Sequence, residues 1–190
     1  MKKINRDYWD WENIDIIPSQ AYICYKCNNK VASNQGYNCF GNSRTYKGNI
    51  YICPNCKSPT YFIDGEQIPA PMYGNTVGYL PSDVLETYEE ARKCFSVNAY
   101  TSVVLCCRKL LMHIACEIGA KEGEKFGFYV DYLDNEGYIP PNGKSWVDKI
   151  RKLGNEATHM LEVKSKEDAQ LAINFTGMLL KFIYEMPKML

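Results

Sequence analysis

SWVDKIRKLGNEATH occupies residues 145–159. Wound as a helix at about 100° per residue, it aligns Trp146, Ile150, Leu153, Ala157 and, just beyond, Leu161 along one stripe. Arg151, Asn155 and His159 fall on the opposite stripe at i, i+4 and i+8. The apolar stripe needs other helices to cover it, so this stretch reads as one member of a helical bundle. The polar stripe has two readings. A solvated face has this pattern, and so does a site in which a guanidinium, an amide and an imidazole on successive turns contact phosphate and transfer protons.

The flanking sequence supplies partners for the apolar stripe. Ser165 with Asp168 makes a capping box, and Leu171, Ala172, Phe175, Met178, Leu179, Phe182 and Ile183 give the following helix a wide apolar face up to Pro187. Upstream, Ser82 or Asp83 starts a helix carrying Val84, Leu85, Tyr88, Ala91 and Phe95. A second helix from Tyr100 presents Val103, Val104, Cys107, Leu110, Leu111, Ile114 and Ile118, and Gly119 ends it. Arg108 flanks that stripe, as a rim residue or as a charge aimed at a partner. His113 reads as structural. A shorter helix over 126–135 is stopped by Gly137. These elements form an antiparallel bundle of four to five helices over residues 82–190.

Residues 66–81 (EQIPAPMYGNTVGYLP) have no period and are rich in proline and glycine, so they read as a linker. Residues 1–65 differ again: a polar arm with Trp9 and Trp11, then tyrosines, asparagines, glycines and short strand-like runs at 21–23, 50–52 and 61–63. Such a segment buries too little to fold by itself. Cys24-Tyr-Lys-Cys27 and Cys53-Pro-Asn-Cys56 supply the remedy, because each C-x-x-C turn aims two thiolates at one centre and two turns complete a tetrahedron. The long spacer between Cys27 and Cys53 accommodates an inserted hairpin carrying Gly36, Gly41 and Gly48. Other readings are a rubredoxin-type iron site, a redox dithiol, or chance pairs of structural cysteines. Thiolate tetrahedra favour zinc, and four thiolates close the coordination sphere, which makes the ion structural. Lys26, Lys30, Arg44, Lys47 and Lys57 give this segment basic character, read as a solvated rim or a nucleic-acid surface. The fold expected from all this is mainly α, with a small N-terminal β-rich zinc ribbon.

Composition narrows the function classes. The chain has 190 residues, 22 basic and 22 acidic side chains and 46% hydrophobic residues, which fits neither disorder nor a globally basic nucleic-acid coat. Nine cysteines, four of them in metal-ligand spacing, point to a reducing compartment rather than a disulfide scaffold. No apolar run has the length of a membrane span and the N-terminus lacks a signal-peptide core, so a soluble cytoplasmic protein with no membrane partner is expected.

The phrases Leu80-Pro-Ser-Asp-Val-Leu-Glu-Thr-Tyr-Glu-Glu-Ala-Arg-Lys-Cys94, the run 99–111 with Arg108, and Ile150-Arg-Lys-Leu-Gly-Asn-Glu-Ala-Thr-His159 resemble a bacterial domain-of-unknown-function family (four-one-four-five) over about residues 80–185. That family occurs alone, behind zinc ribbons and fused to restriction-endonuclease subunits. It is in turn similar to the HEPN superfamily of helical bundles, whose active members are metal-independent ribonucleases that pair two motif copies across a dimer. The resemblance implies a HEPN-like bundle, a homodimer, and RNA or a defence-system protein as partner. Asn155 matches the motif's polar position and His159 its histidine. The arginine before the polar residue is replaced by Gly154, so the resemblance leaves Arg151 or Arg108 to supply that charge. Two functions follow: a nucleic-acid or protein-binding module with a degenerate motif, or an endoribonuclease in which His159 transfers protons and an arginine stabilises the phosphorane.

Overall fold

The computed structural model describes residues 11–41, 45–159 and 163–189, with the side chains of 142, 144 and 154–159 outside the description. Trp9, Arg44, Ala157 and Leu161 therefore lie outside the described residues or side chains. The chain divides into two compact units, Met1–Met72 and Tyr73–Leu190.

The first unit is an antiparallel meander of five strands: β1 (Asp15–Ile23), β2 (Lys30–Phe40), β3 (Tyr46–Ile52), β4 (Pro59–Ile63) and β5 (Glu66–Ile68), hydrogen-bonded in that order. β1 turns into β2 through residues 24–27, and β3 turns into β4 through residues 53–56, so both cysteine turns sit at one end of the sheet. Asp64 and Gly65, both at positive φ (49° and 83°), make the two-residue turn between β4 and β5, a geometry that matches the strand twist. At Gly36 a Cβ would stand 1.8 Å from the Ile50 carbonyl oxygen, so β2 can approach β3 there only without a side chain. The core of this unit is small. Ile17, Tyr22, Cys24, Tyr51 and Cys53 are buried, with Phe62 completing a ring cluster at centroid distances of 5.4 Å to Tyr22 and 5.5 Å to Tyr51.

This sheet overturns the expectation of a mainly α chain with only a small zinc ribbon. The protein is α+β, because the strands run well beyond the three short apolar runs that marked them. The strand residues beyond those runs are polar: Asn34, Gln35 and Asn38 of β2 are exposed, as befits a sheet with solvent on much of its surface.

The second unit contains α1 (Ser82–Ser96), α2 (Tyr100–Glu117), α3 (Phe126–Asn135), α4 (Lys144–His159) and α5 (Lys166–Leu180), the last continuing through a π turn, Lys181–Glu185, and a 3₁₀ turn, Met186–Lys188. Ser165 and Asp168 form the reciprocal capping box of α5. α1 starts without a side-chain cap, after Pro81. The core stacks Tyr88, Phe95, Leu110, Ile114, Tyr129, Leu133, Ile173 and Phe175 between the helices. From α4 it takes Val147, Ile150 and Leu153, whereas Trp146 is 39% exposed and meets Phe175 edge-on at 6.3 Å.

Residues 73–78 are fastened to this unit. Arg92, 3% exposed, donates from Nε to the Tyr73 carbonyl (3.1 Å) and from Nη2 to the Gly74 carbonyl (3.0 Å), and pairs with Glu89 at 2.6 Å. Tyr88 donates to the Asn75 carbonyl, and the Gly78 amide donates to Glu185 at 2.5 Å. Among the described residues, no helix is long and apolar enough to cross a membrane.

Candidate metal centre and helical polar face

The meander brings Cys24, Cys27, Cys53 and Cys56 together, with all four sulfurs within 4.8 Å of one another. The Sγ atoms of Cys24 and Cys56 are 3.6 Å apart, and those of Cys27 and Cys53 are 3.8 Å apart. A regular tetrahedron with metal–sulfur bonds of about 2.3 Å has edges of about 3.8 Å. Two of the six sulfur–sulfur distances match that edge and all lie within 4.8 Å, so the four residues could hold a metal ion. Cys39 is on β2, opposite Gly48, and is not part of the cluster.

The two turns are built alike. Cys24 Nα donates to the Asn29 carbonyl and the Asn28 amide returns to the Cys24 carbonyl. Cys53 Nα donates to the Ser58 carbonyl and the Lys57 amide returns to the Cys53 carbonyl, all at 2.9–3.0 Å. Asn28 and Lys57 take equivalent positive φ angles of 55° and 59°. In each turn, amides face the first sulfur: those of Lys26 and Cys27 toward Cys24, those of Asn55 and Cys56 toward Cys53. Trp11 closes over this end by donating from its indole to the Lys57 carbonyl at 2.8 Å, and its ring lies 6.3 Å from that of Tyr37.

Electrostatically the cluster is divided. Burial pushes the Cys24 thiol up to about 12 and raises Cys53 as well. Burial also opposes ionisation of Cys27, but hydrogen bonds from the Asn55 side chain, the Asn29 amide and the neighbouring thiols outweigh it and bring that group down to about 6. A divalent cation at the centre would erase this division, because coordination deprotonates all the thiols that bind it. Asn55 was not singled out by the sequence; its place inside the second C-x-x-C loop, one residue before Cys56, was the available signal.

On the helices, the residues read as a site have different surroundings. Arg151 is half-buried and braced between α4 and α3: Nη2 lies 3.0 Å from Asp148 and Nη1 3.5 Å from Asp131. Arg108 is half-buried with its guanidinium 4.4 Å from the centre of the Phe126 ring, and burial holds its pKa below the usual value. Arg151 engages aspartates and Arg108 an aromatic face. Asn155 and His159 lie on the last turns of α4, and their side chains are outside the description. His113, half exposed, stands 3.5 Å from Asp83 and 4.0 Å from Glu117.

No curated protein and no solved structure matches the chain. One family model does, that of "Domain of unknown function (DUF4145)", over residues 89–189. The match runs from the later turns of α1 through the last described residue, taking in Arg92, Arg108, Arg151, Asn155 and His159, and it leaves the cysteine-bearing sheet outside. Covering more than half of the chain, it establishes that this protein belongs to the DUF4145 family.

Proposed function

We propose that this protein is a nucleic-acid-binding module of a bacterial defence or nucleic-acid-processing system, with zinc holding its sheet unit together and a helical unit that binds without cleaving. The metal identity rests on chemistry: four thiolates in tetrahedral spacing suit zinc, and the closed sphere leaves no position for an activated water, so the ion's work is structural. Cys24, Cys27, Cys53 and Cys56 would hold it.

The observation that carries the non-catalytic reading is the engagement of Arg151. Cleavage of a phosphodiester by the motif requires a guanidinium close to the polar residue and the histidine, and position 154 is glycine. Arg151, one turn before Asn155, has its charge answered by Asp131 and Asp148, so stabilising a phosphorane would first require it to give up both carboxylates. The defence setting rests on the resemblance to domains fused to restriction enzymes. A homodimer is part of the proposal, as two-fold pairing is the commonest closed assembly.

The test is incubation of the purified protein with structured RNA, with and without EDTA, followed by separate native and denaturing gels. The expected result is a mobility shift with intact RNA. EDTA-resistant cleavage that disappears in His159→Ala would replace this reading with a metal-independent endoribonuclease of the HEPN kind.

A further inference from the structure

A cavity of about 250 Å³ opens between residues 74–75, Tyr88 of α1 and the last turns of α5. Close packing fixes its floor: a Cβ at Gly177 would stand 2.6 Å from the Tyr88 hydroxyl oxygen, and one at Gly74 2.5 Å from Ile173 Cγ2. The Tyr88 hydroxyl is itself engaged, donating to the Asn75 carbonyl at 3.0 Å. At the mouth α5 widens into its π turn, Lys181–Glu185, a geometry that recurs at functional sites. That turn and the 3₁₀ turn after it place Phe182 and Met186, 41% and 49% exposed, at the rim. Among the described residues that line the cavity, Lys181 is the one charged side chain; it is half-buried, and the remaining polar lining is amide and phenol.

We propose that this cavity binds a small organic carboxylate, an acid with an aromatic or branched aliphatic body, a ligand class separate from the nucleic acid proposed above. The volume is just below the roughly 300–1,000 Å³ of sites for drug-sized molecules, which suits a body of one ring. Tyr88, Ile173 and Phe182 wall that body in, and Met178 and Met186, being unbranched and adaptable, follow its outline. The acid group goes to Lys181, which has no ion pair among the described residues. Glu185, the nearest acid along the chain, stays charged, but it is outside the lining and turns Oε2 to the Gly78 amide at 2.5 Å. Inorganic phosphate has no apolar part to set against these walls. A neutral ligand would cover the Lys181 ammonium and leave it without a partner, which costs binding energy. An apolar body with one carboxylate meets both demands.

The experiment uses the full metal-loaded chain. Hydrocinnamate, phenylacetate and isovalerate are the carboxylate probes and their primary amides the neutral counterparts, all read by calorimetry and ligand-detected NMR. At least one acid should bind with a Kd of about 1 mM or tighter, and its amide at least about tenfold more weakly. Lys181→Met keeps the apolar stem, so it should weaken the acid at least about tenfold and leave the amide within twofold. Phe182→Ala should weaken acid and amide alike, and Lys188→Met, an exposed lysine outside the cavity, should match the wild type. Helical dichroism checks that each variant is folded, and the comparison of acid with amide on the wild type stands without any variant. Equal binding of acid and amide overturns the proposal, as does acid binding that stays within twofold in folded Lys181→Met. Absence of binding by all three acids at millimolar concentration overturns it as well.

Discussion

Arg92 is the charge on which the start of the helical unit depends, and replacing it with methionine isolates that dependence. The stem of methionine fills much of the same volume, but three interactions vanish together: the 2.6 Å pair with Glu89 and the bonds to the Tyr73 and Gly74 carbonyls. Two carbonyls and a carboxylate that is about one quarter exposed lose their donor. Hydrogen bonds from a charged group contribute roughly 1.5–3 kcal/mol each, and removing one partner of a buried pair costs roughly 3–5 kcal/mol. Because Glu89 can recover some hydration, we expect Arg92→Met to lose about 3–4 kcal/mol, which lowers the midpoint of a unit of this size by roughly 10–20 °C. Thermal and urea unfolding followed by helical circular dichroism measures it. Glu89→Gln should cost about 1 kcal/mol, and the double variant should show coupling of at least about 1 kcal/mol. Limited chymotrypsin digestion should also find Tyr73 newly accessible, as its ring otherwise stacks on Phe95 at 4.7 Å. A loss below about 1 kcal/mol, with Tyr73 still protected, would refute the claim that Arg92 fastens residues 73–78.

Cys24→Ser should abolish the bound metal equivalent, measured by elemental analysis, and unfold the sheet while helical dichroism persists, because the small apolar cluster around Tyr22 and Tyr51 is too little core to hold the sheet without it. Arg151→Ala should cost no more than about 1 kcal/mol, since its aspartate pairs are substantially exposed, and RNA binding should survive; calorimetric unfolding and gel shifts check both. Cys107 is buried on α2 and burial pushes its thiol up to about 12, against an ordinary value of 9.0. Its folded pKa is raised, so its contribution is complete below pH 9 and is lost as pH climbs toward 12. Wild-type stability should therefore fall by roughly 2–3 kcal/mol between pH 8 and 11 from this group, and Cys107→Ala should flatten that slope in urea titrations at the two pH values. Light scattering at micromolar concentration should return twice the chain mass; a strict monomer would remove the two-fold part of the proposal.

The helices were legible because their signals are local. The 126–135 helix is α3 to the residue, and Ser165 with Asp168 makes the capping box that their spacing announces. The C-x-x-C pairs were legible for the same reason, each being a four-residue turn. What escaped depends on distant partners. Arg92 falls on the buried face of α1 among Tyr88, Ala91 and Phe95, and periodicity cannot tell a buried guanidinium from a rim charge when the carbonyls that satisfy it are 18 and 19 positions earlier. Asp131 is likewise on another helix from Arg151. On α4, the inward stripe passes through Val147 rather than Trp146, a rotation of about one residue that the neighbouring helices set. The strands extend past their apolar signals because β2 carries asparagine, glutamine and serine on a wetted sheet, and because β5, Glu66–Ile68, falls within the 66–81 stretch that reads as a linker, turned into the sheet by Asp64 and Gly65.

The end-to-end layout of the sheet has a consequence for how this sequence can vary. Both cysteine turns lie at one end, while the link between β2 and β3 lies at the other. Extending both strands of that hairpin by the same even number of residues pushes only the far tip outward and leaves every sulfur where it was. Adding one residue to a single strand is different, since it shifts the register and turns the following side chains to the opposite face. The distance in sequence between Cys27 and Cys53 is therefore elastic in steps, whereas the two residues inside each cysteine pair are not. Homologous sheets should tolerate hairpins of quite different length, and a search for them keyed to a fixed interval between the pairs would pass them by.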